Sequence, residues 1–164
     1  MESPVPANYP ATLLRGVMKL DIYMHSWIVG DGNYRDFREG ETRQFALEFW
    51  APSLLALSQS QEKSATEDAR YMYRVNAQVA FSSAEILVID FGLLAYSEAA
   101  EDLQLGLKSG DFVSGQIALD VDPFFYFERL SKIADVPPLI YEWRIEAAEQ
   151  ETTPLVIGNV CGGA

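Results

Sequence analysis

Alternation of apolar and polar residues is the strongest regularity along this chain, and it predicts β-strands. In residues 71–81 every odd-numbered position is apolar, while Arg74, Asn76 and Gln78 face the other way. The same analysis predicts further strands at 14–29, 44–49, 85–95, 112–121 and 141–147. A short piece at 154–157 is expected to pair at a sheet edge.

One short helix is predicted between the last two long strands. Asp122-Pro123 supplies an N-cap side chain followed by a proline at the first helical position, and the prolines of 135–138 end the segment. Residues 53–68 are rich in Ser, Gln and Glu and leave two alternatives open, a mobile loop or a short helix. Because strands and helices do not alternate, we expect a mainly β fold: an antiparallel six- to seven-strand meander or small barrel with one short helix.

Two copies of a turn signature support this expectation. Phe37-Arg38-Glu39-Gly40-Glu41 and Leu107-Lys108-Ser109-Gly110-Asp111 each read as apolar, basic, spacer, glycine, acid. The glycine can adopt the positive φ of a tight turn without a Cβ clash, and the acid then begins the next strand.

The segment Leu107–Gly115, together with the order of strands, helix and closing strand, resembles an OB-like small barrel. The resemblance covers about residues 13–148 and implies a concave strand face for binding, without assigning a role to any residue. We expect one β-barrel-like domain at 13–157, a flexible N-terminal arm at 1–12 and a flexible C-terminal tail at 158–164.

The distribution of charge then restricts the classes of function that the sequence favours. The net charge is −12, and residues 83–164 hold 14 acidic and 4 basic side chains. Such a surface repels phosphate backbones and anionic membranes, and it attracts a basic protein. The leading hypothesis is therefore a non-enzymatic, soluble interaction module that binds a protein partner through an acidic surface. Its candidate rim charges are Glu98, Glu101, Asp102, Asp120, Glu142 and Glu146.

Two alternatives remain. An OB-like face could bind single-stranded nucleic acid through interleaved aromatic and basic residues, namely Tyr34, Arg35, Phe37, Arg38 and Arg43. A lower-ranked alternative is a small-ligand barrel or a carboxylate-dependent hydrolase built on Asp120 and Asp122. For that pair we favour an ordinary structural role, with Asp122 as the helix N-cap and Asp120 as a solvated strand end.

Other chemistry is sparse. His25 is the only histidine and Cys161 the only cysteine, so no intrachain disulfide can form and no catalytic residue, metal site or cofactor is expected. Asp90 interrupts an apolar run, and we expect the strand to emerge there so that Asp90 meets solvent or a turn N–H.

The N-terminus lacks a basic and apolar leader pattern, and the most apolar run, 86–94, is too short to span a bilayer. A cytoplasmic protein is therefore expected. The sequence does not indicate an oligomeric state.

Overall fold

A computed structural model describes residues 19–23, 34–35, 37–69, 72–98, 106–148 and 154–159. The expected arm at 1–12, His25, Glu101, Asp102 and Cys161 lie outside these residues. Gly158 and Asn159, at the start of the expected tail, are the last residues of a strand.

The described segments contain eleven strands and one short helix. The strands are β1 (Lys19–Tyr23), β2 (Thr42–Phe45), β3 (Leu47–Trp50), β4 (Ala56–Leu57), β5 (Ser64–Ala69), β6 (Met72–Ser82), β7 (Leu87–Asp90), β8 (Leu94–Ser97), β9 (Phe112–Val121), β10 (Tyr141–Ala148) and β11 (Pro154–Asn159). Helix α1 (Phe125–Glu128) is followed by a 3-10 turn at Leu130–Lys132. Within the described residues, no helix has the length and apolar content to cross a bilayer.

Five strands close into a small mixed barrel in the order β3, β8, β7, β6, β9. Closure follows because β9 pairs with β6 and also with β3. The β3–β8 pair is parallel, and the other four pairs of the ring are antiparallel. The predicted fold class, mainly β with a small barrel and one short helix, is confirmed.

The remaining strands extend this barrel. The strip β1–β11–β10–β2 leaves the C-terminal end of β9, beginning with a parallel contact between Tyr23 and Asp120. The strip returns to the barrel because β2 continues into β3 past Ala46. β4 pairs with β9 and β5 with β6, so the segment 53–68, left open as loop or helix, contributes two short strands.

Alternation along the strands builds one continuous core. On β6 the predicted inward residues Tyr73, Val75, Ala77 and Val79 are buried, while Phe81 is half-buried. Phe45, Leu47 and Phe49 are buried as well. Two side-chain hydrogen bonds tie these strands together. Within the strip, the Trp143 indole N–H of β10 donates to the Phe45 carbonyl of β2 at 3.0 Å. Between barrel and strip, the Leu94 N–H of β8 donates to the Tyr141 hydroxyl of β10 at 2.9 Å. Each buried polar end thus finds a partner, as burial requires.

The first signature turn precedes β2. Gly40 has φ 86°, and its N–H donates to the Ile145 carbonyl at 2.7 Å, while the Ile145 N–H donates to the Glu41 carbonyl at 2.8 Å. The Arg38 N–H donates to the Glu41 carboxylate at 2.8 Å, and the Glu41 N–H donates to the Arg38 carbonyl at 3.2 Å. The turn is therefore closed at both ends and anchored on β10.

The second signature turn precedes β9 and repeats this pattern bond for bond. Gly110 has φ 97° and donates to the Val79 carbonyl at 2.8 Å, while the Val79 N–H donates to the Asp111 carbonyl at 2.7 Å. The Lys108 N–H donates to the Asp111 carboxylate at 2.9 Å. The two signatures are structurally equivalent: each forms a glycine turn immediately before a strand, β2 in the first case and β9 in the second.

The predicted helix start is wrong. The N-cap position is Phe124, with φ 78° and no side-chain cap, and the helix covers only Phe125–Glu128. Asp122 is fully buried instead of capping from a solvated position. The physical reason is that its carboxylate accepts a hydrogen bond from the buried Tyr96 hydroxyl of β8.

Candidate functional site

Two neighbouring strands, β3 and β9, carry polar residues on the side that faces away from the barrel core. In their antiparallel register Glu48 lies opposite Asp120, and Trp50 lies opposite Ala118. Opposed residues and residues two apart share a face, so these four residues lie on one side of the strand pair, here called the outer face. On it Trp50 is exposed, Glu48 and Asp120 are half-buried, and Ala118 is buried. The intervening Leu47, Phe49 and Leu119 are buried in the barrel.

A cluster of carboxyl and tyrosine side chains runs inward from the outer face. It is named the carboxyl–tyrosine cluster and consists of Glu48, Asp120, Asp122, Tyr96 and Tyr34. Tyr96 lies beside Glu48 in the parallel β3–β8 register and is fully buried. Its hydroxyl donates to Asp122, and Tyr96 also lowers the pKa of the neighbouring Glu48 carboxyl. Tyr96 therefore joins the half-buried end of the cluster to its buried end.

Burial and neighbouring like charges strongly raise the pKa values of the acids in this cluster. Burial, reinforced by the Asp120 and Asp122 carboxylates, raises the pKa of Glu48 to about 7, although the Tyr96 hydrogen bond acts in the other direction. Burial also raises the pKa of Asp122 to about 6, against the opposing effects of Tyr96 and of backbone N–H groups at the start of α1. Burial and the Asp122 charge raise the pKa of both Tyr96 and Tyr34.

Two oxygens at the buried end have no hydrogen-bond partner within the described part of the chain. They are Oδ2 of Asp122, whose side chain is fully buried, and the hydroxyl of Tyr34, which is 8% exposed. The N–H groups of residues 124–126 lie close enough to favour the Asp122 charge, but none reaches hydrogen-bonding geometry with Oδ2. Buried unpaired oxygens are costly, so they mark this cluster as a candidate site.

Trp50 gives the outer face an apolar component. Its side chain is 56% exposed, and it lies two residues from Glu48, about 7 Å along the strand. Leu54 and Leu57 are also exposed, but Leu57 lies opposite Val113 on β9, five positions from Ala118, or about 17 Å away. Trp50 is thus the large exposed apolar residue that adjoins the carboxylates.

The acids proposed from sequence as rim charges are dispersed in the structure. Asp120 lies on the outer face, whereas Glu98 follows β8 and pairs with Arg129. Glu142 and Glu146 lie on β10, separated from β9 by β11 and β1, roughly 14 Å along the sheet. Of the described candidates, the outer face includes Asp120 alone. The expected solvated strand end at Asp120 is half-buried beside Glu48.

The residues of the nucleic-acid alternative form a packed loop. Tyr34 and Phe37 are 8% and 7% exposed, and their rings contact Phe124 and Phe45. Arg43 bonds to Glu41 at 2.9 Å and to the Arg35 carbonyl at 3.3 Å, and its guanidinium lies 4.3 Å from the Phe37 ring centre. Arg35 and Arg38 are exposed. The two rings are therefore engaged in packing and do not present faces on which bases could stack.

Asp90 behaves as expected for an emerging strand end. One carboxylate oxygen accepts the Gly92 N–H at 3.0 Å, and the other pairs with Lys63 at 2.6 Å. Among the described residues, no group of three or more His, Cys, Asp or Glu side chains has a metal-holding arrangement.

Sequence reasoning missed Glu48, Trp50 and Tyr96. Alternation placed Glu48 on the polar side of its strand, which is correct, but it contains no information on which strands lie alongside. Tyr96 lies in an apolar run and its hydroxyl had no assigned partner. The signal for this site is the strand register, which places Glu48 between Tyr96 and Asp120.

Comparison with known proteins adds no relative: no protein-family model, curated protein or solved structure matches the chain.

Proposed function

We propose that this protein is a non-enzymatic interaction module that binds a basic protein partner through its outer face. The observation that carries the proposal is the position of Trp50, 56% exposed, on the same face as the opposed carboxylates Glu48 and Asp120. An exposed aromatic beside half-buried acids is suited to a lysine or arginine side chain.

The indole and the carboxylates would contribute different terms. A guanidinium or ammonium over an indole face gains a cation–π attraction, and the aliphatic stem of the same side chain covers the ring. Glu48 and Asp120 then supply charge at a half-buried position, where the effective dielectric is lower than in water and attraction is stronger. Together they favour a cationic segment over a neutral one.

The other acids would act at longer range. With 24 acidic and 12 basic residues, the whole chain attracts a cationic partner before contact. Glu98, Glu142 and Glu146 are assigned to this steering role. Glu98 already pairs with Arg129, so its contribution at contact is the smallest of the three.

The test uses a fluorescein-labelled peptide that alternates arginine and alanine, and a second peptide with glutamate in place of arginine. Anisotropy titrations at low and at high salt measure affinity. We expect binding of the arginine peptide that weakens as salt rises, since opposite charges are screened, and no binding of the glutamate peptide.

Variants locate the surface. Trp50→Ala and Asp120→Asn should each lower affinity for the arginine peptide about tenfold, whereas Leu57→Ala should leave affinity unchanged. Leu57 is the matched control because it is also exposed but lies away from the carboxylates. Equal losses for Trp50→Ala and Leu57→Ala, or binding insensitive to salt, would contradict the proposed surface.

A further inference from the structure

We infer that the bound segment of the partner is extended, alternates apolar and basic residues, and lies across the strands along a row of apolar side chains that begins at Trp50. This inference rests on the function proposed above. It adds the direction in which the segment lies and the sequence pattern that it carries.

Strand register places four apolar residues in one line across β3, β9, β6 and β5. Trp50 lies opposite Ala118 on β9. Ala118 in turn lies opposite Met72 of β6, which lies opposite Ala69 of β5. Neighbouring strands are about 4.8 Å apart, so this line, here called the apolar row, is about 14 Å long. Both of its ends are exposed, Met72 is half-buried and the small Ala118 is buried, so the row continues the outer face beyond β9.

A polar network forms one border of the apolar row. The Asp68 carboxylate accepts a hydrogen bond from Arg74 Nη2 and another from Gln116 Nε2, each at 3.0 Å. Gln116 and Arg74 are opposed in the β9–β6 register, two residues along each strand from the row. Asp68 therefore reaches over the same face. Because Asp68 is already paired with Arg74, this border does not attract a further cation strongly.

Two carboxylates form the opposite border. Glu48 and Asp120 are opposed in the β3–β9 register, about 7 Å along the strands from the apolar row. Glu48 forms no ion pair with a described residue. A cation is therefore attracted to this one side of the row, while the row itself favours an apolar group.

An extended segment matches this arrangement of one apolar and one acidic line. Its side chains alternate between two sides, and residues two apart are about 7 Å apart. A segment that lies between the two lines directs one set of side chains to the apolar row and the other set to Glu48 and Asp120. The row is as long as about four extended residues, so an alternation of apolar and basic residues is the pattern that fits.

A second copy of this chain is the weaker occupant of the row. The chain has a net charge of −12, so two copies repel each other, and the acids beside the row would meet further acids. A basic segment of another protein replaces this repulsion with attraction.

The first measurement compares three fluorescein-labelled peptides of equal length by anisotropy. One alternates arginine and alanine, one alternates arginine and leucine, and one holds the same arginines and leucines in two separate blocks. The alternating leucine peptide should bind about tenfold more tightly than the alanine peptide, because leucine buries more apolar area on the row. The block peptide should bind more weakly than the alternating leucine peptide. Equal affinities for the two leucine peptides would overturn the alternating pattern.

Met72→Ser tests the middle of the apolar row. It should remove most of the gain in affinity that leucine gives over alanine, with circular dichroism showing that the variant is folded. Leu57→Ser is the matched control, because Leu57 is also an apolar strand residue open to solvent but lies off the row. A gain from leucine that survives in Met72→Ser, or that is lost equally in Leu57→Ser, would overturn the row as the contact.

Two exposed alanines test the direction of the segment. Ala69 lies about 14 Å from Trp50 across the strands. Ala56 of β4 lies opposite Ser114 on β9, so it is also about 14 Å from Trp50, but along the strands. Ala69→Arg and Ala56→Arg each add one positive charge at an exposed position. We expect Ala69→Arg to lower affinity for the alternating leucine peptide about tenfold and Ala56→Arg to lower it less than about twofold. The reverse order would overturn the direction.

The outcomes separate this inference from the proposed function. If no arginine peptide binds at low salt, both are wrong. If the alanine peptide binds and depends on Trp50 and Asp120, but leucine adds no affinity, the proposed function stands and the apolar row is overturned. Sedimentation of the protein alone tests the other occupant. A dimer that Ala69→Arg dissociates and Ala56→Arg does not would assign the row to a second copy and overturn the partner segment.

Discussion

The two faces of the β3–β9 pair differ in what they bury, although they are formed by alternate residues of the same two strands. The inner face packs Leu47, Phe49 and Leu119 into the buried hydrophobic core. The outer face carries Glu48 and Asp120 and leads inward to the fully buried Asp122 and Tyr96. One face stabilises the fold by burying apolar area, and the other retains carboxyl groups in a partly dry environment at a cost.

This contrast teaches which residues to assign to stability and which to function. Apolar burial is the least costly way to cover a strand face. Glu48 and Asp122, which form no ion pair with a described residue, are therefore retained against a stability penalty. Strained or costly groups of this kind cluster at functional sites. The inner face should therefore respond to truncation, and the outer face should respond to pH and to ligands.

The largest expected effect is on the inner face. Phe49→Ala should lower the free energy of unfolding by about 3–5 kcal/mol, because it removes a fully buried ring and leaves a cavity. Urea denaturation followed by circular dichroism measures it. The adjacent Trp50→Ala is the comparison, and similar midpoints for the two variants would contradict the assignment of the two faces.

The next largest effect is a pH-dependent change in the free energy of unfolding, caused by Glu48 at the outer face. The pKa of Glu48 in the folded protein is raised to about 7 from the ordinary 4.5, so the native state holds the proton more tightly than the unfolded chain. The stability from this group is fully present below about 4.5 and is lost as pH rises through about 7. Asp122, also raised, acts in the same direction.

Glu48→Gln removes this ionisation, so the variant should exceed the wild type in stability by about 1–3 kcal/mol at pH about 8, with the advantage vanishing at pH about 4. Urea melts of both proteins at the two pH values give the difference. Glu142→Gln serves as control. A stability difference that does not change with pH would show that Glu48 ionises as an ordinary surface acid.

A third prediction concerns the two signature turns, which precede β2 and β9. Gly40→Val and Gly110→Val should each destabilise by about 1–3 kcal/mol, because a β-branched residue is strained at positive φ. A Cβ at either position meets no atom within 4 Å, so the cost comes from the backbone and not from a clash with neighbours. Since the two turns form the same pattern of hydrogen bonds, the two substitutions should lower the free energy of unfolding by similar amounts.

Chemical denaturation of both variants beside Ser109→Ala, an exposed neighbour in the second turn, tests this prediction. If Gly110→Val matches Ser109→Ala, the positive-φ assignment is wrong. If only one glycine is sensitive, the equivalence of the two turns does not extend to energetics.

The smallest expected effect on stability is that of Trp50→Ala, within about 0.5 kcal/mol of the wild type, because most of the side chain is already exposed. This small change beside a tenfold loss of peptide affinity would sharpen the contrast between the faces. A destabilisation comparable to that of Phe49→Ala would mean that Trp50 is a packing residue, and the outer face would lose its apolar anchor.

Much of the fold followed from local patterns, while the site did not. Alternation correctly placed Tyr73, Val75 and Val79 inside, and both signature glycines have the positive φ that their turns predicted. The helix start failed because a local rule, Asp before Pro as an N-cap, lost to a buried partner. That partner, Tyr96, lies 26 positions away along the chain, so no local pattern could reveal it, yet its hydroxyl donates to Asp122 inside the protein.

The sequence by itself determined the period of two, the two glycine turns, the mainly β class and the acidic charge, because each depends on a residue and its immediate neighbours along the chain. Only the tertiary structure decided that β9 pairs with both β3 and β6, and that Glu48 lies between Tyr96 and Asp120. Strand order is set by the packing of the whole core, and the sequence of a single segment is not sufficient to specify it. The environment of a carboxyl group, and with it the pKa, follows from that packing.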